Sequence, residues 1–231
     1  MVSYTPTYVF KFLPTILNAL PLTLWVIFLT VLLGSLLGSG LAWAQLNSAS
    51  DGWAAFAKAY VFILRCTPPI VLLFMVFYGL PEFLTWWLHL DVDDWSRTIF
   101  VVVTMILLFT ASISEVFKAA YLAVPKGQLE AGLSIGLTGF QTFVRILLPQ
   151  AFKIALPNIT TAILNLMKDA ALAYTIGLVD VMGAGNLIIS RNLGNYSLET
   201  YTAVALIYWG IALILSLVSH FMEYSLSKGN A

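Results

Sequence analysis

Long uncharged apolar runs, separated by short polar segments, dominate the pattern of hydrophobic and polar positions along this chain. A helix that crosses a bilayer needs about 20 mainly apolar residues, because each residue adds about 1.5 Å toward a thickness of about 30 Å. Five runs meet this length and predict spans at about residues 20–44, 60–80, 98–118, 154–179 and 201–222. The predicted fold is therefore an all-α polytopic membrane protein, with one transmembrane domain over residues 1–231.

The first apolar run also has to be distinguished from a secretory signal peptide. A single charge, Lys11, precedes it, and the run is longer than the apolar region of such a peptide. We therefore expect the run to be retained in the mature chain. Within it, Gly34 and Gly38 form a G-x-x-x-G pattern, which favours close packing of helices inside the chain's own bundle over a dimer seam.

Composition supports a membrane location and argues against several other functions. Hydrophobic residues make up 60% of the chain and charged residues 10%, with a net charge of zero, so neither a soluble surface nor a nucleic-acid-binding patch is indicated. One cysteine and two histidines do not suffice for a disulfide or a metal site. The chain also lacks a phosphate-binding loop and a credible nucleophile triad, so we predict no catalytic residues, no metal and no ATPase site.

The distribution of Lys and Arg between the predicted spans indicates the orientation. Five spans place the termini on opposite sides, and cytoplasmic segments carry an excess of basic residues. With the amino terminus outside and the carboxyl terminus inside, the inner segments contain Lys58, Arg65, Lys118, Lys126, Arg145, Lys153 and Lys228. The outer segments then contain the bases Lys11, Arg97 and Arg191 and the acids Glu82, Asp91, Asp93, Asp94, Asp180 and Glu199.

Residues 119–150, between the third and fourth spans, form a polar segment punctuated by glycine. The run Pro125-Lys126-Gly127-Gln128 ends the preceding helix, since proline cannot continue the hydrogen-bond ladder. A short helix is predicted from Gln128, a turn at Gly136 and Gly139, and a second short helix from about Phe140. Two short helices at an angle would form a compact knob on the side that the charge bias predicts to be cytoplasmic.

This segment resembles the EAA loop of ABC importer permeases. The family pattern is E-A-A, three residues, G, nine residues and I-x-L-P, and only the third position departs from it. The matching positions are Glu130, Ala131, Gly132 (where alanine is usual), Gly136, Ile146, Leu148 and Pro149. The resemblance implies that these residues form a docking loop for an ATPase subunit, in a multi-pass protein of a prokaryotic inner membrane.

The same resemblance implies the partners and cofactors. We expect two ATPase subunits, a second permease that is identical or a sister chain, an extracytoplasmic binding protein, and the lipid membrane. ATP and magnesium would be bound by the ATPase, so no cofactor is expected on this chain.

Flanking segments resemble the branch of the family that imports polar amino acids. They are Glu115-Val116-Phe117-Lys118, Val124-Pro125-Lys126-Gly127-Gln128, Arg65-Cys66-Thr67-Pro68 and Lys168-Asp169. Lys118 replaces the usual arginine, Cys66 replaces glycine, and the Thr-Ser pair that usually follows Lys-Asp is missing. Residues 174–183 resemble permeases for cystine and related amino acids.

Lys168 and Asp169 lie deep in the fourth predicted span, where charges are costly and usually functional. One interpretation places Asp169 on the substrate path, with Lys168, Glu115 and Arg65 as further candidates. The other is an ion pair across the subunit interface with Glu115 or Arg65. For Lys168 considered by itself, a structural role is favoured over a role in the path.

Two alternatives to an ABC permease remain open from sequence. The first is a secondary transporter in which Lys168, Asp169 and Glu115 relay protons or ions, although no inverted repeat is visible. The second is a membrane scaffold that only binds a cytoplasmic partner.

Overall fold

The computed structural model describes residues 4–46, 51–90, 92 and 94–227. The helices are α1 (Thr7–Leu17), α2 (Leu20–Leu46), α3 (Asp51–Cys66), α4 (Pro69–Leu88), α5 (Arg97–Ala123), α6 (Lys126–Ser134), α7 (Gly139–Thr142), α8 (Leu148–Ala170), α9 (Val181–Arg191) and α10 (Ser197–Ser227). A π turn (Phe143–Leu147) joins α7 to α8, and a 3₁₀ helix (Ala171–Ile176) extends α8. Every regular element in the described part of the chain is helical, which confirms the predicted fold class.

Within the described residues, five helical segments are long and apolar enough to cross a membrane: Leu20–Leu46, Pro69–Leu88, Arg97–Ala123, Gly139–Ile176 and Ser197–Leu226. The number of spans agrees with the sequence prediction. Three of the charged residues on which the predicted orientation depends, Asp91, Asp93 and Lys228, lie outside the described residues.

The second predicted span, 60–80, differs from the structure because a break divides it. Helix α3 ends at Cys66 and α4 begins at Pro69, with Pro68 in an extended conformation (φ −58°, ψ 134°). A residue that precedes proline is pushed out of the helical region, and here Pro69 follows Pro68. The apolar span is therefore Pro69–Leu88, and residues 60–66 belong to the preceding helix.

Helix α5 occupies the centre of the bundle and packs against α2, α3, α4 and α8. Its residues Val101, Met105 and Ile113 are fully buried. Gly34 and Gly38 of α2 face it: a Cβ on Gly34 would lie 2.8 Å from Phe109 Cδ1, and a Cβ on Gly38 would collide with Ile113 Cγ2. Close packing within the chain's own bundle, as the G-x-x-x-G pattern favoured, is confirmed.

A second apolar cluster joins helices at the end of the bundle where α2 and α10 begin. It contains Val9 and Ile16 of α1, Val181 and Ile188 of α9, and Val204 of α10. No helix was predicted from the sequence at residues 7–17, where the structure forms α1.

Candidate functional site

The segment that contains Glu130 forms a closed turn of helix α6 onto α7. Gly136 adopts a left-handed conformation (φ 86°), and its N–H donates to Leu133 O at 3.0 Å. The N–H of Leu137 donates to Gly132 O at 3.2 Å. These are the two hydrogen bonds of a Schellman motif, which ends a helix and favours glycine at the left-handed position. The left-handed backbone conformation at position 136 thus favours glycine, in agreement with the turn predicted there from the sequence.

Helix α7 starts with a capping box at Thr138. Thr138 Oγ1 accepts from the Gln141 N–H at 3.2 Å, and Gln141 Oε1 accepts from the Thr138 N–H at 3.0 Å. The helix that starts here does not stay short, contrary to the prediction of a second separate helix. It continues through the π turn into α8, so the segment is one short helix packed against the first turns of a long one.

Pro149 explains the π turn. Proline has no N–H to donate, and in an α-helix its ring collides with the carbonyl four residues earlier. The turn widens instead, and the Leu148 N–H donates to Phe143 O, five residues back. Pro149 therefore occupies the first turn of α8 without breaking the helix.

Gly132 is the position at which this chain departs from the family pattern, and its environment accounts for the departure. The residue is buried in α6 against α7 and the π turn. A methyl group on Gly132 would collide with Thr142 Cγ2 and lie 3.1 Å from Ile146 Cδ1. Side chains from the facing helix thus fill the space that an alanine would occupy.

The outer surface of this loop combines charge with apolar side chains. Glu130 and Ala131 are exposed, as are Leu148 and Pro149, while Ile146 is half-buried. Ile135 and Phe140 are 75% and 76% exposed, on either side of the turn. Neither residue was predicted to belong to the docking surface, although both are visible in the sequence as large apolar residues inside a polar segment.

The second candidate site is a cavity of about 250 Å³ between α3, α5 and α8. Arg65, in the last turn of α3, and Asp169, near the end of α8, both line it. Helix α8 also contributes a row of polar side chains at helical spacing, Asn158, Thr161 and Asn165. This row was also missed, although the spacing of Asn158, Asn165 and Asp169 by seven and four residues is visible in the sequence.

The structure separates the other two candidates from this cavity. Lys168 is exposed and is not among the residues that line it. Glu115 forms an ion pair with Lys118, with 3.1 Å between Glu115 Oε1 and Lys118 Nζ. Lys118 Nζ also donates to Gln45 Oε1 at 2.8 Å. Of the four candidates for the path, only Arg65 and Asp169 therefore lie together.

Residues 177–181, which follow α8 and its 3₁₀ extension, form hydrogen bonds with helices α5 and α2. Arg97 Nη1 donates to Gly177 O at 2.9 Å, where Gly177 is left-handed (φ 81°). The Val181 N–H donates to Thr23 Oγ1 at 3.1 Å. Asp180 caps α9, because its Oδ1 accepts from the Gly183 N–H at 2.8 Å. Burial raises the pKa of Asp180 to about 6, although hydrogen bonds from backbone N–H groups oppose this rise.

Comparisons with known proteins now give the class of protein. Residues 34–228 match the model of the family described as binding-protein-dependent transport system inner membrane component. The match covers most of the chain, and the chain belongs to this family. As a member it is a membrane-embedded transport component and not the subunit that hydrolyses ATP.

Individual relatives and solved structures agree with this assignment. The chain is 36% identical to the L-cystine transport system permease protein TcyL of Bacillus subtilis, over 94% of this chain and 89% of that protein. It is 31% identical to the glutamate/aspartate import permease protein GltK of Escherichia coli O157:H7, over 91% and 93% of the two chains. A crystal structure of an amino acid ABC transporter with histidines superposes with a TM-score of 0.83 and 25% identity, covering 97% of this chain and all of that one.

Proposed function

We propose that the chain is the permease subunit of an ATP-driven importer of polar amino acids in a bacterial inner membrane. The observation that carries this proposal is the cavity whose lining includes both a cation, Arg65, and a carboxylate, Asp169. Several relatives over nearly the whole chain are named as amino-acid permeases, which supports the same substrate class. Neither an ion-coupled transporter nor a scaffold is supported by any of these relatives.

The cavity suits a zwitterion of amino-acid size. The Arg65 guanidinium offers paired N–H donors for an α-carboxylate, and the half-buried Asp169 carboxylate accepts from an ammonium group. The amide and hydroxyl groups of Asn158, Thr161 and Asn165 line the same cavity and would bind polar groups of the side chain. Cystine or a related amino acid is the favoured substrate, because a cystine permease is among the similar proteins.

Uptake by the complete transporter tests this assignment. Asp169→Asn should lower the uptake rate at least several-fold without reducing the amount of assembled complex, because a carboxylate that receives the ammonium is lost. Lys168→Gln is the matched control: its charge lies one residue away but outside the cavity, so uptake should change little. Unchanged uptake kinetics for Asp169→Asn would leave Asp169 with a structural role only.

The Glu130 loop is proposed as the docking site for the ATPase subunit. Its exposed carboxylate lies in a segment that also presents Ile135 and Phe140, a combination suited to an interface with an apolar centre and a polar rim. Two ATPase subunits would dock on the loops of two permease chains, identical or sister. Nucleotide-driven movement of the ATPase would then bias the permease between its two arrangements.

Co-purification measures this docking. Glu130→Lys and Phe140→Ser should each reduce the amount of ATPase subunit that is recovered with the permease from solubilised membranes. Leu193→Ser is the control, because Leu193 is also apolar and even more exposed (91%) but lies outside the loop, in the turn after α9. If recovery of the ATPase subunit and transport are both undiminished in the two loop variants, the docking assignment is wrong.

A further inference from the structure

Helix α1 precedes the first span and is too short to cross a membrane. With 11 residues it is about 16 Å long, about half of the bilayer's apolar thickness. At its amino-terminal end, the Thr5 N–H donates to Glu199 Oε1 at 2.7 Å and the Tyr8 ring stacks on Tyr196 at 4.0 Å. Glu199 lies in the first turn of α10 and Tyr196 immediately precedes this helix, and the other end of α1 leads through Asn18 and Ala19 directly into α2. The helix therefore connects the first turns of two spans.

Three distinct faces run along α1. The buried face contains Val9 and Ile16, which pack on Val181 and Ile188 of α9 and on α10. A polar face contains Thr7, Lys11 and Thr15, at intervals of four residues, and all three are exposed. A third face contains the exposed residues Phe10, Pro14 and Leu17, at i, i+4 and i+7.

The exposed apolar face is continuous with the apolar surface of the next helix. Phe10 is 71% exposed, and the first turns of α2 expose Leu24, Trp25 and Phe28. The narrow exposed apolar stripe lies beside a polar stripe centred on Lys11, a pattern suited to a helix that lies in the membrane interface. The Lys11 ammonium group lies over the Tyr8 ring, 5.2 Å from its centroid.

We propose that α1 is an interfacial helix whose Phe10, Pro14 and Leu17 face is covered by lipid acyl chains on the side of the membrane where α2 and α10 begin. The opposite face of α1 packs on α9 and α10. This proposal rests on the spans and not on the substrate or the ATPase partner.

Spin labels attached to single cysteines test this surface in the assembled transporter in lipid nanodiscs. The background variant is Cys66→Ser, since Cys66 is exposed. Labels at Phe10→Cys and Leu17→Cys should show an accessibility to dissolved oxygen, relative to a water-soluble nickel chelate, several-fold higher than labels at Thr7→Cys and Thr15→Cys. A label at Val9→Cys should be inaccessible to both quenchers, which controls for the orientation of the helix.

Two results would overturn the proposal. If labels at positions 10 and 17 are as accessible to the nickel chelate as those at 7 and 15, the apolar face lies in water. If they are inaccessible to both quenchers, another protein chain covers the face instead of lipid.

Discussion

At the scale of single residues, Gly132 shows how a departure from a sequence pattern is matched by its neighbours. The loop pattern was visible from residue types and spacing, and the role of Gly136 followed from its backbone requirement. The reason for Gly132 was not visible, because Thr142 and Ile146 approach it only once α6 has turned back onto the following helix. Residue roles that depend on such a contact require the folded chain.

The fit around Gly132 predicts a pair of compensating substitutions. Gly132→Ala should lower the melting temperature of the purified chain, since the new methyl group collides with Thr142 Cγ2 and overpacking typically costs about 1–3 kcal/mol. Thr142→Ser removes this methyl group but keeps the hydroxyl that donates to Thr138 O. The double variant should recover much of the lost stability. Additive losses in the double variant would contradict this account.

The buried cap of α9 predicts a pH dependence of stability. Because burial raises the pKa of Asp180 from 3.8 to about 6, the folded chain binds more protons than the unfolded chain in this window. The stabilisation present below pH 4 is therefore lost as the pH rises toward and through 6. Asp180→Asn keeps an oxygen for the Gly183 N–H but does not titrate, so its melting temperature should depend less on pH between 4 and 6. Equal pH profiles would assign the dependence to other groups.

At the scale of helices, the prolines divide into those that break a helix and those that do not. Pro68 and Pro125 precede the first turn of a helix in an extended conformation, whereas Pro149 and Pro157 lie inside the long helix that forms the fourth span. The sequence predicted the break at Pro125 because glycine and polar residues follow it. It did not predict the break at Pro68, which lies inside an apolar run, or the continuation through Pro149, which depends on a π turn.

The packing of α2 on α5 predicts different outcomes for two neighbouring glycines. Gly38→Leu should lower the melting temperature by several degrees, because its side chain would collide with Ile113 and approach the backbone oxygen of Thr110 at 3.3 Å. Gly40→Leu is the matched control on the same helix, since no atom lies within 4 Å of a Cβ at that position. Thermal unfolding in one detergent compares the two variants. Equal effects would show that helix propensity and not the α2–α5 contact determines stability here.

At the scale of the whole molecule, five spans were predictable because each requires only a run of apolar residues. The cavity was not predictable as a unit, because it needs Arg65 from α3 and Asp169 from α8, about a hundred positions apart, to face the same space beside α5. Helix α1 was not predicted for a similar reason, since the burial of Val9 and Ile16 depends on contacts with α9 and α10. The sequence likewise did not indicate that Glu115 pairs with Lys118 and does not line this cavity.

The orientation of the chain remains a prediction from its charge distribution, and two exposed positions separated by α8 test it. In a Cys66→Ser background, Ser134→Cys places a thiol at the end of α6, and Asn195→Cys places one in the turn before α10. Basic residues cluster on the side of Ser134, so a membrane-impermeant maleimide should label Asn195→Cys in intact spheroplasts and Ser134→Cys only after lysis. Equal labelling of both variants in lysed membranes shows that both thiols are reactive. Labelling of Ser134→Cys alone in intact spheroplasts would reverse the orientation and remove the Glu130 loop from the reach of a cytoplasmic ATPase.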